Sequence, residues 1–593
     1  MKKWVVRAKK ADFNAIAEKF HITPIMARLI RNRDIIEDDD IEYFLNAGLS
    51  DMHDPFLMKD VDKACDLLIE AIRNGKTIRV VGDYDIDGVS ASTILMRSLK
   101  AAGAKVSYRL PHRIRDGYGI NNNIIDEAFN DDIDMIITCD NGIAAFNEVE
   151  HANELGMDVI ITDHHEIPFE EIEGQKQYKV PNALCVINPH QEDDNYPYEN
   201  ICGAMVAYKL VLALKKKIDN CSFAKDYDDN STGLHKIAPS LTDSLLDFAA
   251  FATIGDIMPL LNENRIAVKY GIRSIKNTKN IGLSALIDET GVQRDRLKPY
   301  HFGFVLGPCV NAVGRLYSAD TALDLFLTDD EEEARRLAKV LKSANEERKA
   351  IENEKLEEAF DLVETGSDGH DYERDTVLLV YMGDCHESLA GLIAGKIKEK
   401  YNKPTIVFTD CETGIKGSGR SIECYDIFAE LSKHKDLFQK FGGHPMACGL
   451  SMEKANFETL RRVLNEESQL TEEDLVSKYY IDIDMPINYV SSELLSELDR
   501  LEPCGQDNPS PVFAQKNLQI LSRKKNPKGN QITLAVKTPP HNDKPERVMY
   551  ATMFGEADEL LARLEGKNTI TMAYVPEYND YFGRIQLKIK DFI

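Results

Sequence analysis

Three aspartates stand at alternate positions directly after a run of β-forming residues. Asp83, Asp85 and Asp87 follow the β-rich stretch 77–81 and precede Gly88, after which the pattern becomes helical. Alternate side chains of an extended segment point to the same side. Three carboxylates held about 6 Å apart would repel by roughly 2 to 3 kcal/mol per pair at an effective dielectric of about 20, so a bound cation would compensate them. A solvated acidic loop is the alternative for such a pattern alone, and the tight turn at Gly88 favours a metal site.

The same construction occurs twice more along the chain. The β-like stretch 135–139 is followed by Asp140-Asn141-Gly142, and the stretch 158–162 by Asp163-His164-His165. In open α/β sheets the functional crevice lies outside the carboxyl ends of the strands, so the three clusters can converge there. A lone His-His pair is more often a surface or core feature than a ligand pair, but three strand ends of this kind together favour ligation.

A fourth candidate is Asp256, in the otherwise apolar stretch 253–259. An unpaired carboxylate would be costly to bury there, although a helix cap would also explain it. Carboxylates with one or two imidazoles and no thiolate suit Mn²⁺ or Mg²⁺. More than four such ligands predict a site for two ions, which commonly activates water for phosphoryl displacement. The reaction class indicated is phosphoester hydrolysis.

The order of elements predicts an α/β protein of several domains. Residues 1–75 show helical spacing, 76–330 alternate β-rich runs with helices as in a parallel sheet, and a loop or insertion is expected at 215–242. The stretch 331–365 lacks breakers until its end and predicts one long helix that joins two domains. A second α/β domain is expected at 366–465, and the strand-rich segment 466–593 predicts a small β-barrel.

Composition limits the classes of function. The chain has 593 residues, 43% of them hydrophobic, and a formal charge of -27, which disfavours coating of nucleic acid by bulk attraction but permits a local basic groove. Eleven cysteines without paired spacing predict reduced thiols. No run of 18 apolar residues and no signal sequence is evident, so we expect a soluble cytoplasmic protein without membrane contact. The Asp-rich turn after the first strand is neither a dinucleotide-binding motif nor a P-loop.

These motifs resemble those of the DHH phosphoesterases. Four motifs of that superfamily are matched by the aspartate-rich turn, Asp140-Asn141-Gly142, Asp163-His164-His165 and Gly255-Asp256. Val81 stands where other branches usually carry a histidine, so the first motif resembles that of the RecJ branch. The resemblance implies metal ligation by Asp85, Asp87, Asp140, His164 and Asp256, with Asp83 as a direct or supporting ligand. His165 is expected to be a catalytic group, as a proton carrier or a phosphate contact.

The resemblance continues beyond the metal motifs. Asn311 and Arg315, before the long helix, resemble the RecJ connection between its two core domains. The Gly-rich stretches 417–421 and 441–449 resemble a DHHA1-type substrate-binding domain, in which backbone N–H groups and an arginine hold phosphates. The substrate-binding residues implied are Asn311, Arg315, His386, Ser418, Arg420, Gly442, Gly443 and His444. Taken alone, Gly-Gly-His is usually only a turn.

The C-terminal stretch resembles the OB-fold of RecJ proteins, which would offer a groove for single strands. The basic turn 523–528 and the aromatic residues Tyr574, Tyr578, Tyr581 and Phe582 are of the right kind to bind and stack bases. A solvated hairpin with core aromatics is equally compatible with them. The chain ends after this domain, so we expect it to lack the additional C-terminal domain of some RecJ proteins.

The resemblance implies a 5′→3′ exonuclease specific for single-stranded DNA that releases mononucleotides with two Mn²⁺ or Mg²⁺ ions, in DNA repair and recombination. A single-strand-binding protein and a helicase are expected partners of a monomer. One alternative is a DHH phosphodiesterase of short oligonucleotides or cyclic dinucleotides, which rates on long and short substrates would separate. Another is a non-catalytic, Cdc45-like DNA-binding scaffold, which would be expected to lose the metal ligands present here.

Overall fold

The computed structural model describes residues 2–172, 175–227, 229, 233–542 and 544–593. They form two compact units. The larger unit contains Trp4–Pro308, Ala322–Leu337 and Tyr480–Ile593, and the smaller unit consists chiefly of Cys309–Thr321 and Ala338–Tyr479. None of the helices in the described part of the chain combines the length and the apolar character needed to span a bilayer.

The N-terminal region is mostly helical and begins with one short strand. Its elements are β1 (Lys3–Val6), α1 (Phe13–Phe20), α2 (Pro24–Arg31), α3 (Asp38–Asn46) and α4 (Val61–Arg73). Helix α2 begins at Pro24 because the side chain of Thr23 accepts a hydrogen bond from the Met26 N–H and proline suits the first helical position.

A five-stranded parallel sheet with helices follows. Its elements, with a small hairpin of β6 and β7, are β2 (Thr77–Val81), α5 (Ile86–Ala101), β3 (Lys105–Arg109), α6 (Asn122–Asn130), β4 (Met135–Cys139), α7 (Phe146–Glu154), β5 (Asp158–Thr162), β6 (Phe169–Ile172), β7 (Gln175–Tyr178) and β8 (Cys185–Ile187). The order of strands in the sheet is β3-β2-β4-β5-β8. Every residue of β4 is buried, as expected for a strand with helices on both faces.

Helices follow the sheet in the chain. They are α8 (Gly203–Asp219), α9 (Pro239–Gly255), α10 (Asn262–Ile275), α11 (Ile281–Thr290), α12 (Pro299–His301), a π-helical turn (Phe302–Leu306), α13 (Gly307–Leu316) and α14 (Asp320–Leu327). The loop predicted at 215–242 is shorter than expected, because α8 and α9 cover both of its ends. Residues 228 and 230–232 of that loop lie outside the described residues.

The predicted long helix is α15 (Glu331–Thr365). It begins there because the Asp330 carboxylate accepts hydrogen bonds from the Glu332 and Glu333 N–H groups at 2.8 and 2.9 Å. The smaller unit continues with β9 (Leu378–Tyr381), α16 (Glu387–Tyr401), β10 (Thr405–Cys411), β11 (Gly414–Arg420), α17 (Ile427–Ser432), β12 (Lys440–His444), β13 (Ala447–Met452) and α18 (Phe457–Glu467). Its sheet has the order β12-β13-β11-β10-β9, and only β9 and β10 pair in parallel.

The C-terminal strands form a closed barrel. The elements are β14 (Lys478–Ile481), β15 (Ile483–Asp484), α19 (Ser492–Leu498), β16 (Phe513–Lys525), β17 (Gln531–Thr538), β18 (Arg547–Phe554), α20 (Ala557–Arg563), β19 (Thr569–Asn579) and β20 (Arg584–Phe592). Pairing of β16 with β19 closes the five strands from β16 to β20. The N-terminal helices α1 to α3 share one apolar core with this barrel, so they stabilise it.

Candidate metal centre

The three acidic clusters lie at the carboxyl ends of neighbouring strands. Asp83 follows β2, Asp140 follows β4 and Asp163 follows β5. Strand β3 lies on one side of β2 and β4 on the other, so the order of the sheet reverses between β2 and β4. Crevices at such a reversal are the usual binding sites of open α/β sheets.

The turn after β2 is tight, and glycine makes it possible. A Cβ on Gly88 would lie 2.5 Å from the backbone N and O of Asp83, which is closer than real Cβ atoms approach. Asp85 is the N-cap of α5, and its Oδ1 accepts hydrogen bonds from the N–H groups of Asp87 at 2.9 Å and Gly88 at 3.2 Å. The cap therefore fixes the direction of the Asp85 carboxylate.

Asp87 is held by a helix that the sequence did not indicate as part of the site. Its two oxygens accept hydrogen bonds from the N–H groups of Gly203 at 2.6 Å and Ala204 at 2.8 Å, at the start of α8. A Cβ on Gly203 would lie 2.7 Å from the Cβ of Asp140, so only glycine lets the helix come this close. Backbone donors leave no polar side chain in the sequence to reveal them.

The predicted ligands converge. Three groups have ligand atoms that all lie within 4.8 Å of one another, namely Asp83 with Asp85 and Asp140, Asp87 with His164 and Asp256, and Asp140 with His164 and His165. The Nε2 atom of His164 lies 3.1 Å from Asp140 Oδ1, 3.5 Å from Asp87 Oδ2 and 3.8 Å from Asp256 Oδ2. Asp140 and His164 each belong to two groups, so the groups form one continuous cluster.

The electrostatics of the cluster suit a divalent cation. Burial, and then the neighbouring Asp85, raises the pKa of Asp83 well above its ordinary value. Burial, and then Asp87, does the same to the pKa of Asp140 and of Asp256. The buried Oδ1 of Asp83 has no hydrogen-bond partner among the described residues. A bound cation would offset the repulsion between the buried carboxylates and would coordinate the unpartnered oxygen. Oxygen and imidazole donors fit Mn²⁺ or Mg²⁺.

Asp163 orients the two histidines and is not one of the converging ligands. Its Oδ1 accepts hydrogen bonds from the His164 N–H at 2.7 Å and from His165, through the N–H at 3.2 Å and ring Nδ1 at 2.7 Å. Its Oδ2 accepts one from the Ile143 N–H at 2.9 Å. Burial opposes ionisation of Asp163, but the charge of His165 and its hydrogen bond outweigh burial and lower the pKa of Asp163 to about 2.

Asn141 and Tyr118 also shape the cluster. The Asn141 side chain donates to the Val81 and Cys139 carbonyls and accepts from the Ile120 N–H. Through these contacts the Asn141 side chain connects the loop that follows β4 with the end of β2 and the loop before α6, and it uses its own oxygen as a hydrogen-bond acceptor. The Tyr118 hydroxyl donates to the Asp140 carbonyl at 2.8 Å and lies 3.2 Å from His165 Nδ1, a contact that no spacing in the sequence indicated.

In the smaller unit, several predicted substrate-binding residues gather at the start of α16. Arg315 donates to the Ser388 carbonyl at 2.7 Å. His386 is the N-cap of α16, and its Nδ1 lies 2.7 Å from Ser388 Oγ. Ser418 Oγ and Arg420 Nη2 each lie 2.8 Å from where a Cβ on Gly391 would be, so that glycine makes room for both. Asn311 lies one turn before Arg315 on α13.

The Gly-Gly-His stretch is an edge strand of the same sheet, not an isolated turn. Gly442 pairs with Gly449, which pairs with Ser418, and His444 pairs through β13 with Arg420. Residues in one such row share a face of the sheet, so His444 and Arg420 lie on the same face about 10 Å apart. No described residue outside their chain neighbours lies within 4 Å of a Cβ on Gly442 or Gly449, which leaves an open strip of backbone between them.

Comparison with known proteins agrees with this geometry. Family models match at residues 77–234 (DHH family, N-terminal domain), 374–469 (DHHA1 domain) and 481–591 (RecJ OB domain). The single-stranded-DNA-specific exonuclease RecJ of Escherichia coli K12 is 32% identical over 513 residues, which cover 83% of each chain. This chain belongs to the RecJ family. RecJ of Bacillus subtilis 168 is 34% identical over 520 residues, which cover 87% of this chain and 62% of the Bacillus protein, less than two thirds of its length.

Solved structures show the RecJ fold. Crystal structures of RecJ from Thermus thermophilus in complex with Mn²⁺ and with Mg²⁺ match with TM-scores of 0.78 and 0.73 at 24% identity. The matches cover 100% of this chain and 79% and 78% of those chains. The predicted fold class is confirmed as a parallel-sheet DHH core, a DHHA1 domain and a closed C-terminal barrel of the OB type.

In the RecJ OB barrel of this chain, one of the predicted stacking residues is unsuited to the role. Tyr574 is fully buried, packs against Phe513 where the barrel closes, and donates from its hydroxyl to the Met485 carbonyl at 2.7 Å. Of the two interpretations left open by the sequence, that of a core aromatic therefore applies to Tyr574. The other three aromatics are exposed, by 57% for Tyr578, 88% for Tyr581 and 58% for Phe582.

Proposed function

We propose that this protein is a metal-dependent exonuclease that degrades single-stranded DNA from the 5′ end to mononucleotides, as a cytoplasmic enzyme of DNA repair and recombination. The observation that carries the proposal is the convergence of buried carboxylates and His164 at the carboxyl end of the sheet. The RecJ relatives are named for their specificity for single-stranded DNA. The direction of digestion and the product are what the family resemblance implies.

Two divalent cations, Mn²⁺ or Mg²⁺, fit the cluster. Asp83, Asp85 and Asp140 would hold one, and Asp87, His164 and Asp256 the other. Such ions, when bound, polarise the attacking water and offset charge on the phosphoryl oxygens.

The chain's own side chains set the geometry around the substrate. Asp163 holds His165 in one orientation, and the His165 side chain is 39% exposed, so it can contact the phosphate or carry a proton. The smaller unit would hold the strand through Arg315 and Arg420, with His386, Ser418 and Asn311 nearby. The open strip at Gly442 and Gly449, on the face that also carries His444, would let the phosphate backbone approach the sheet closely.

The test is digestion of single-stranded DNA labelled at the 5′ or the 3′ end, with Mn²⁺ and beside a blunt duplex. The proposal predicts early release of the 5′ label as a mononucleotide, and little digestion of the duplex. Asp140→Ala is expected to be inactive, whereas Asp39→Ala, which removes an exposed carboxylate of α3, is expected to retain full activity.

Other outcomes would assign the chain differently. Intact long strands with cleavage of dinucleotides would indicate a phosphodiesterase of short substrates. Binding of DNA without any cleavage would indicate a scaffold. We further propose that the enzyme acts as a monomer beside a single-strand-binding protein and a helicase, which sedimentation of the purified chain, alone and with each partner, would test.

A further inference from the structure

A cavity of about 430 Å³ lies in the larger unit, on elements that do not contribute to the metal centre. We call it the α10 cavity. It is bounded by one face of α10, by the segment 297–299 and by the segment 496–503 that leads into the barrel. Its polar lining is mostly cationic, with Lys269, Arg273, Lys276, Lys298 and Arg500.

The cations are crowded without matching acids. Lys269, Arg273 and Lys276 stand at spacings of four and three residues, which puts them on one side of α10, where like charges destabilise a helix. None of these three forms an ion pair with a carboxylate among the described residues, although Lys276 donates to the Asp295 carbonyl. These cations give a chain with a net charge of -27 a locally positive surface, and such a surface attracts anions.

The facing acids do not neutralise the cluster. The Oε1 atom of Glu502 lies 3.5 Å from Lys298 Nζ, so Glu502 forms an ion pair with that lysine. Burial, and then Glu502, raises the pKa of Asp499, which weakens it as a partner. Burial, and then the positive charges of Arg265 and Arg273, lowers the pKa of Lys269. Two acids thus face five cations in the cavity.

Two exposed aromatic rings adjoin the cavity. Pro299 lines it, and the next residue, Tyr300, stacks on Phe304 with ring centroids 5.1 Å apart and an angle of 23° between the planes. Tyr300 is 63% exposed and Phe304 67%. The residue between them, Phe302, points inward onto Phe251 at 5.5 Å, so the exposed pair has a rigid support.

The aromatic pair also borders the helix that carries a candidate metal ligand. Gly303 stands against Ile254, since its Cβ position lies 3.7 Å from Ile254 Cγ2. Helix α9 ends one residue later, at Gly255, and Asp256 follows as its C-cap. The segment of the aromatic pair therefore begins at the cavity, with Pro299, and contacts α9 two residues before Asp256.

We propose that the α10 cavity and the pair Tyr300–Phe304 form a second subsite for single-stranded DNA, in which the cations bind backbone phosphates and the rings stack bases. The proposal rests on the proposed function. Positive charge beside stacked aromatic faces is how proteins bind single strands without reading sequence, and paired bases of a duplex would not offer their faces to the rings. The subsite would hold nucleotides beyond those at the metal centre.

The test measures binding, so that it does not depend on cleavage. Fluorescence anisotropy in EDTA would give the Kd of a long oligonucleotide, of a pentanucleotide and of a long abasic strand, for the whole chain. The variants are Lys269→Ala/Arg273→Ala and Tyr300→Ala/Phe304→Ala. Matched controls are Lys100→Ala/Lys105→Ala, two exposed cations at the amino-end side of the sheet, and Phe129→Ala, an exposed aromatic residue there.

The cation variant is expected to raise the Kd of the long strand about fivefold and to reduce the slope of log Kd against log salt by about 0.7 for each lost phosphate contact. The aromatic variant is expected to reduce the preference of the chain for the normal over the abasic strand. Neither should change the Kd of the pentanucleotide, and the controls should behave as wild type.

The subsite is excluded if both variants bind the long strand as wild type does, or if the control variants weaken binding equally. Failure of the proposed function is distinguishable, because it is measured by digestion of labelled strands by the wild type with Mn²⁺, whereas the subsite is measured by Kd values in EDTA.

Discussion

The Gly203 N–H donates a hydrogen bond to Asp87 Oδ2 at 2.6 Å, although the two residues are 116 positions apart in the sequence. The positive end of the α8 dipole stabilises the negative charge of the carboxylate there. The same glycine brings the helix against Asp140. One contact therefore places two candidate ligands relative to each other.

Replacing Gly203 is expected to weaken metal binding. In Gly203→Ala the new Cβ would stand 2.7 Å from the Asp140 Cβ, so α8 must move away and release Asp87. Loss of such support commonly costs about tenfold or more in metal affinity. Titrations with Mn²⁺ that follow nuclease activity and the heat of binding should show that the variant needs a higher Mn²⁺ concentration than wild type. At high Mn²⁺ its rate of digestion should partly recover.

The matched control is Gly395→Ala in α16, where a Cβ would meet nothing within 4 Å. It should leave the Mn²⁺ curve unchanged. An unchanged Mn²⁺ affinity in Gly203→Ala would show that Gly203 does not position the ligands.

Removing metal should reveal the repulsion between the buried carboxylates. Without cations, Asp140→Asn is expected to raise the free energy of unfolding by about 1 to 2 kcal/mol, because one charge leaves the cluster. Saturating Mn²⁺ should stabilise the wild type against heat, and the variant much less, since ligands that bind only the folded state stabilise it. Thermal unfolding in EDTA and in Mn²⁺ checks both. Equal stabilisation by Mn²⁺ in the two proteins would place the ions elsewhere.

Asp247 in α9 predicts a pH dependence of stability. Burial raises its pKa to about 6, from 3.8, although Ser274 and Thr278 oppose the shift. Between pH 4 and 6 the folded chain keeps a proton on Asp247 that the unfolded chain has lost. The free energy of unfolding therefore falls as the pH rises from 4 to 6. Above pH 6 the loss stays constant. The full effect is about 3 kcal/mol.

The variant Asp247→Asn is therefore expected to be more stable than wild type at pH 8 and equally stable near pH 4. Denaturant unfolding at both pH values measures this. Asp243→Asn, an exposed position one turn earlier on α9, serves as the control and should show no such difference. A variant that is no more stable at pH 8 would mean that the buried carboxylate is compensated.

The two kinds of barrel tyrosine should respond differently to substitution. Tyr574→Phe removes the hydroxyl that bonds Met485 and leaves a buried carbonyl without that donor, so a loss of about 1 to 2 kcal/mol in stability is expected with unchanged DNA affinity. Tyr581→Ala, at a side chain 88% exposed, should leave stability unchanged. Weakened DNA binding by folded Tyr574→Phe would contradict the assignment of Tyr574 to the core.

The candidate site could be predicted from the sequence to the extent that its residues are polar side chains at strand ends. Asp83, Asp140 and His164 follow stretches whose β-like pattern is unmistakable, and carboxyl ends of parallel strands meet at one edge. The prediction for Asp256 was less certain, because a single aspartate after a helix is also explained as a helix cap. In the structure Asp256 is both the C-cap of α9 and part of the cluster.

Sequence alone thus determined the α/β class, the long helix, the strand-rich C-terminal segment and most of the converging carboxylates. These depend on local periodicity and on residue type, which the chain carries in itself.

Only the tertiary structure decided which neighbours each of these residues has. The N–H groups of Gly203 and Ala204 hold Asp87, and backbone groups have no sequence signature. Tyr574 became a core residue and Tyr581 an exposed one because barrel closure, not composition, sets which ring is covered. Contacts between residues far apart in the chain arise only when packing brings their elements together, and no local pattern records them.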